Sequence, residues 1–180
     1  METTVNQNNI VLKWTLISVI TSIVITYVFQ LTNTDQNSAL KYLSYIPFII
    51  YLFLAQKEYK DQLGGYITFG EAFSTGFKYG IFTAVLLAIF MYLYLSILSP
   101  QIFEKAMDAA QQKLIDQGQL SSEQIDSAMA ISRKYGVIIG TVGSVIFSII
   151  IGAVIALIGA AIFKKEKPLF DANSYSDPTV

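Results

Sequence analysis

Glu71 and Lys78 stand seven residues apart in the run FGEAFSTGFKYG, where most neighbours are apolar or small. On an α-helix seven residues return to within about 20° of the same face, with a rise of about 10 Å. A lysine side chain leans toward the helix N-terminus, which brings Lys78 within direct or water-bridged reach of Glu71, with Thr75 between them. Ionisable residues inside a membrane helix mark proton or ion paths by default, and Thr68, Ser74 and Thr75 are the polar neighbours such a path would use. The competing reading is plainer: both residues fall in the first turns of an apolar helix, where charges anchor the helix or form a structural pair. Other chemistry is scarce. Histidine and cysteine are absent, which excludes His- or Cys-based triads, thiolate and imidazole metal sites and disulfides. Glu104 with Asp108 and Glu123 with Asp126 are carboxylate pairs at helical spacing, but they lie in a mixed-charge segment and read as a solvated face. The stretch GGYITFGEAF lacks the glycine-lysine spacing of a phosphate loop. No catalytic, cofactor-binding or metal-ligating residue is assigned, and the expectation is a non-enzyme without cofactor.

The elements that would position such residues follow from composition. Hydrophobic residues make up 53% of the 180 residues and charged ones 14%, against roughly a quarter charged in soluble domains. That balance predicts an all-α integral membrane bundle, with the lipid bilayer as its first partner. A formal net charge of -1 without an extended basic tract excludes nucleic acid as a partner. Four spans are predicted, at about 10–31, 39–54, 69–98 and 135–163. In the first, Lys13 snorkels and Trp14 and Tyr27 mark the two ends; no basic leader or small-residue cleavage site accompanies it, so it reads as a retained anchor. The second is short and holds Lys41 and Pro47; it is taken as a span, with a re-entrant helix as the alternative. Lys57, Glu58, Lys60 and Asp61 then read as solvated, and Gly64-Gly65 as a turn.

Between the third and fourth spans, residues 99–134 read as a helical extramembrane hairpin. Ser99-Pro100 is a helix start, Gly118 a stop, and Ser121 with Gln124 a capping box for a helix that runs through Arg133 and Lys134 into the last span. Residues 1–168 thus form one membrane domain, and 169–180 a disordered tail. With four spans both termini share a side. It collects Lys13, Lys57, Lys60, Lys164, Lys165 and Lys167, and the KKEK cluster abutting the last span places both termini in the cytoplasm.

In the fourth span Gly136, Gly140, Ser144, Ser148, Gly152, Ala156 and Ala160 recur four apart, and the third offers Gly76 and Gly80. Helices in lipid associate through close packing, which such small-xxx-small patterns permit. The stripe drifts about 40° per step, so it is not one straight face. Packing within the chain, association with itself or another membrane protein, and a permeation path are its three readings. The first function hypothesis is accordingly a small helix-packing or accessory subunit; the second is a small transporter or channel using Glu71 and Lys78.

The run LGGYITFGEAFSTGFKYG, Leu63 to Gly80, resembles a segment that recurs in a bacterial membrane-protein family, domain of unknown function 4199. The apolar hairpin before it, the Pro-led loop after it and the small-rich last span followed by lysines are also similar. The resemblance implies a multi-pass protein of the bacterial inner membrane, chiefly of Bacteroidetes, and carries over no substrate, cofactor or site residue.

Overall fold

The computed structural model describes residues 5–32 and 45–167. The polar turn after Thr32, the first part of the second predicted segment with Lys41, and the tail from Pro168 lie outside the described residues. The described part is helical: α1 (Gln7–Leu31), α2 (Ile46–Gln62), α3 (Phe69–Leu93) with a π-helical end (Tyr94–Leu98), α4 (Pro100–Gln117) and α5 (Ser122–Phe163). Three helices, α1, α3 with its π-helical end, and α5, are long and apolar enough to cross a membrane. Among the described residues the fold is therefore all-helical, with the long apolar helices of a membrane protein. At 1.5 Å per residue the 42 residues of α5 extend about 63 Å, twice a hydrocarbon core of about 30 Å. Its polar first third continues into its apolar remainder without a break, as the capping-box reading anticipated.

The second predicted segment differs in detail from its sequence reading. Pro47 lies in the first turn of α2, where its missing N–H leaves no helical bond unmade, so no freed carbonyl needs a substitute partner. The helix also carries Lys57 to Asp61 as its last turns. Gly64 and Gly65 then turn the chain with φ of 80° and 85°, a region that side chains with a Cβ avoid.

The chain forms two compact units, residues 1–80 with 152–180, and residues 81–151. In the first, the buried positions recur at helical spacing: Val11, Thr15 and Ser18 on α1; Leu52, Ala55 and Gln56 on α2; Ala72, Thr75 and Tyr79 on α3; Ala156 and Ala160 on α5. Small residues set the spacing. A Cβ added to Gly80 would lie 3.5 Å from the Gly152 Cα, while one on Gly76 would lie 2.9 Å from the Ala156 Cβ and 2.7 Å from the Gln56 amide nitrogen. At the helix ends, Ile67 and Lys165 exchange backbone hydrogen bonds of 2.8 and 2.9 Å, an isolated antiparallel bridge.

In the second unit Pro100 stops α3. A residue before proline is pushed out of the helical region, and Ser99 has φ of -146° and ψ of 56°. Its N–H reaches back to the Tyr94 carbonyl at 2.7 Å, closing the π turn. Ser99 occupies the N-cap position of α4 without a side-chain capping bond, and Gly118 ends that helix in the left-handed conformation. The capping box at the start of α5 is formed: Ser121 N–H donates to Gln124 Oε1 at 2.9 Å, and Gln124 N–H lies 3.3 Å from Ser121 Oγ. Arg133 clasps α4, donating to Glu104, to Asp108 at 2.7 Å and to Gln111 at 3.4 Å. Glu104 and Asp108 are thus partners of an arginine, whereas their sequence reading was a plain solvated face.

These contacts separate the glycines. Gly76→Ala is expected to lower the midpoint of thermal unfolding in detergent, with a cost of about 1–3 kcal/mol for overpacking, whereas Gly80→Ala and Gly140→Ala are expected to unfold within error of wild type. Equal melting of all three would contradict the packing described.

Candidate functional site

The polar groups of the first unit gather between helices, and Gln56 is the deepest. It lies on the buried face of α2 with Leu52 and Ala55, and its side chain is fully buried. Its Nε2 donates to the Ala72 carbonyl of α3 and to the Ala156 carbonyl of α5, both at 3.0 Å. Both N–H groups are used, so one carboxamide ties three helices. Its Oε1 has no hydrogen-bond partner among the described residues. It rests against Gly159, where an added Cβ would come within 1.9 Å of it, so the oxygen faces the glycine Cα–H, a weak donor. Gly76 and Gly159 are the two walls that admit the amide.

Glu58, two residues further along α2, accepts from Lys13 Nζ, from Trp14 Nε1 at 2.7 Å and from Gln62 Nε2 at 3.1 Å. It is half-buried, which corrects its reading as a plainly solvated charge. Lys13 also lies over the Trp14 ring, and that ring stacks on Tyr51 with centroids 5.7 Å apart. The start of α1 is thus pinned to the end of α2.

Glu71 and Lys78 are not brought together. Thr68 and Glu71 form a capping box at the start of α3: Thr68 N–H and Oγ1–H donate to Glu71 Oε2 at 2.9 and 2.7 Å, and Glu71 N–H lies 3.2 Å from Thr68 Oγ1. Lys78 Nζ leans toward the helix N-terminus, as its geometry requires, but finds Gln7 Oε1, with Asn8 Oδ1 at 3.4 Å. Gln7 in turn donates to Thr75 Oγ1 at 2.8 Å. Thr75 is buried and bonds its own Glu71 carbonyl at 2.8 Å; Ser74 is half-buried beside it on the helix. Deeper in the unit the buried Tyr79 hydroxyl donates to Ser18 Oγ at 2.7 Å, with the Phe48 carbonyl 3.2 Å away. The buried Thr15 Oγ1 has no partner among the described residues.

The small residues of α5 divide in the same way. Gly152, Ala156 and Ala160 are buried in the first unit. In the second, Gly136 meets the Phe103 ring, where an added Cβ would lie at 3.0 Å, whereas a Cβ added to Gly140 would meet nothing within 4 Å among the described residues. Ser144 is exposed and bonds its own Thr141 carbonyl at 2.7 Å, and Ser148 is half-buried. Among the described residues no group of three carboxylates gathers to hold a metal ion.

Sequence reading missed Gln56, Gly159 and the Thr68 capping box. The box was legible, since Thr68-x-x-Glu71 is the same signature as Ser121-x-x-Gln124. Gly159 lies one residue off the four-spaced stripe, and Gln56 borders a charged run that masks it.

Helices of this length and apolarity, crosslinked by buried side-chain hydrogen bonds, define a polytopic α-helical membrane protein. Within that class the chain belongs to the family described as protein of unknown function, DUF4199, whose model matches residues 13–165. No curated protein and no solved structure gives a significant match.

The Gln56 junction makes a coupled prediction. Interhelical hydrogen bonds in membranes average about 0.6 kcal/mol and reach about 1.7, so Gln56→Ala is expected to cost about that plus its lost packing. Gly159→Ala should cost more, because the new methyl meets the amide. The double variant is expected to unfold at a higher temperature than Gly159→Ala alone, and simple additivity of the two losses would refute the contact.

Proposed function

We propose that this protein is a small, non-enzymatic accessory subunit that acts by helix packing, beside another copy of itself or a larger membrane protein. The observation that carries this reading is the use made of the polar side chains in and beside the spans. Glu71 caps its own helix, Lys78 and Thr75 are bridged by Gln7, Gln56 ties α2 to α3 and α5, and Tyr79 bonds Ser18. Groups so engaged hold helices, and the separation of Glu71 from Lys78 counts against an ion path built on that pair. The stretch of α5 around Gly140 and Ser144 is exposed in the second unit and offers a close-packing face.

The proposed setting is the bacterial inner membrane, with four spans, α2 and its preceding segment forming the second, and both termini in the cytoplasm. Charge supports this orientation. In the first unit lysines at the end that holds Lys13, Lys57, Lys60, Lys78, Lys164, Lys165 and Lys167 outnumber the carboxylates Glu58, Asp61, Glu71 and Glu166, whereas acidic residues outnumber basic ones in the second unit. Lys78 joins the basic side because its ammonium reaches the first turn of α1.

The chain has no cysteine, so single cysteines report contacts without background. Gly140→Cys and Ser144→Cys are expected to form disulfide-linked dimers in native membranes, or to crosslink in defined stoichiometry to one partner identified by mass spectrometry, while Ile158→Cys gives neither. Recovery of the protein alone from all three, together with solute flux that Glu71→Gln abolishes, would replace this reading with transport. Reporter fusions after Thr34, Asp61, Gln119 and Asn173 are expected to alternate outside, inside, outside and inside.

A further inference from the structure

Several cations near Lys78 have a carboxylate facing them. Lys13 pairs with Glu58, Lys57 with Asp61 and Lys164 with Glu166, whereas Lys78 has only the neutral amide oxygens of Gln7 and Asn8 and forms no ion pair among the described residues. An ammonium has three donors, and at least one is left over. The half-buried side chain opens onto a cleft of about 320 Å³ lined by Val5, Asn6, Gln7, Asn8 and Lys78. Two of the amides there have a side-chain nitrogen that is not engaged among the described residues. Asn6 Oδ1 is taken by the N–H groups of Asn8 and Asn9 at 3.0 and 3.4 Å, and Asn8 Oδ1 faces Lys78, so both side-chain nitrogens remain to donate. A larger cleft of about 480 Å³ adjoins on the other side of Asn6, but its lysine is Lys13, already neutralised by Glu58.

The level of the cleft also matters. Gln7 begins a helix apolar enough to span, so its first turn lies at the headgroup layer, where a lysine reaching out of a helix meets lipid phosphate. Below Asn8 on α1, one and two turns deeper, Leu12 and Leu16 are exposed. A positive, donor-rich cleft above an apolar strip matches an amphiphile with an anionic head, and the cytoplasmic leaflet is the anionic one.

We propose that this cleft binds the phosphate of an anionic membrane lipid, with Lys78 as its counter-ion, the Asn6 and Asn8 amides as further donors, and an acyl chain along Leu12 and Leu16. This rests on the cytoplasmic placement of the termini proposed above and not on the accessory-subunit reading.

The test is native mass spectrometry of the delipidated, detergent-purified protein titrated with phosphatidylglycerol or phosphatidylcholine. Wild type is expected to retain one phosphatidylglycerol several-fold more strongly than phosphatidylcholine. Lys78→Gln should erase the preference, Lys78→Arg keep it, and Lys57→Gln, which removes an exposed lysine elsewhere, leave it unchanged. Asn8→Glu gives Lys78 an internal counter-ion without emptying the helix junction. It should also erase the preference, and it decides the matter if Lys78→Gln fails to fold by circular dichroism. Equal retention of the two lipids by wild type, or a preference that survives Asn8→Glu, would overturn the proposal. So would displacement of bound phosphatidylglycerol by inorganic phosphate alone, which would make the ligand a free anion.

Discussion

A carboxamide enclosed among apolar helices has no water to fall back on, and Gln56 answers that constraint by giving both of its N–H groups to main-chain carbonyls of two other helices. Leaving such a group unpaired costs several kcal/mol in an apolar medium, on the order of 2–7 by transfer measurements. Rotation of α2, or sliding of α3 against α5, would therefore break bonds that nothing nearby replaces. The neighbours comply: Gly76 and Gly159 leave the room the amide needs, and the Gly80 and Gly152 backbones meet on the same two helices. Small side chains and one polar group thus form a single device, since the amide reaches both carbonyls only because the helices approach closely.

Around that junction, α1 is attached by hydrogen bonds as much as by apolar contact. Glu58 receives Lys13 and Trp14, Gln7 bridges Lys78 and Thr75, and Ser18 receives the Tyr79 hydroxyl. Lipid tails are as apolar as leucine, so burial from lipid supplies little drive for helix association, and directed bonds and close packing set the register instead. The Ile67–Lys165 bridge does the same at the helix ends, joining the turn before α3 to the residues after α5. Lys165 lies over the Tyr66 ring, which holds a lysine of the terminal cluster at the surface.

The second unit is governed by a different constraint, the proline at position 100. Without an N–H it cannot extend α3, the residue before it leaves the helical region, and the last turn widens so that Ser99 bonds Tyr94. The chain then reverses at Gly118, and Arg133 joins the two arms of the hairpin through a fork of charge-assisted bonds to Glu104 and Asp108.

Composition, the lengths of apolar runs and local punctuation determined the helical membrane class, the ends of α4, the capped start of α5 and its passage into the last span. These depend on contacts within a few residues, which spacing records directly. Family membership was legible for a similar reason, because Leu63 to Gly80 is one continuous segment. What pairs with what was decided only by the tertiary structure. Glu71 and Lys78 share a helix face, yet the carboxylate turns back to Thr68 and the ammonium crosses to α1, because each finds its nearest partner outside the seven-residue interval. Gln56 resembled the first residue of a solvated stretch until α3 and α5 closed over it, and the four-spaced stripe of α5 divided into buried and open parts because a helix of 3.6 residues per turn carries a four-residue repeat around its axis. A side chain's partner depends on which helices lie beside it, and that is written in no single helix.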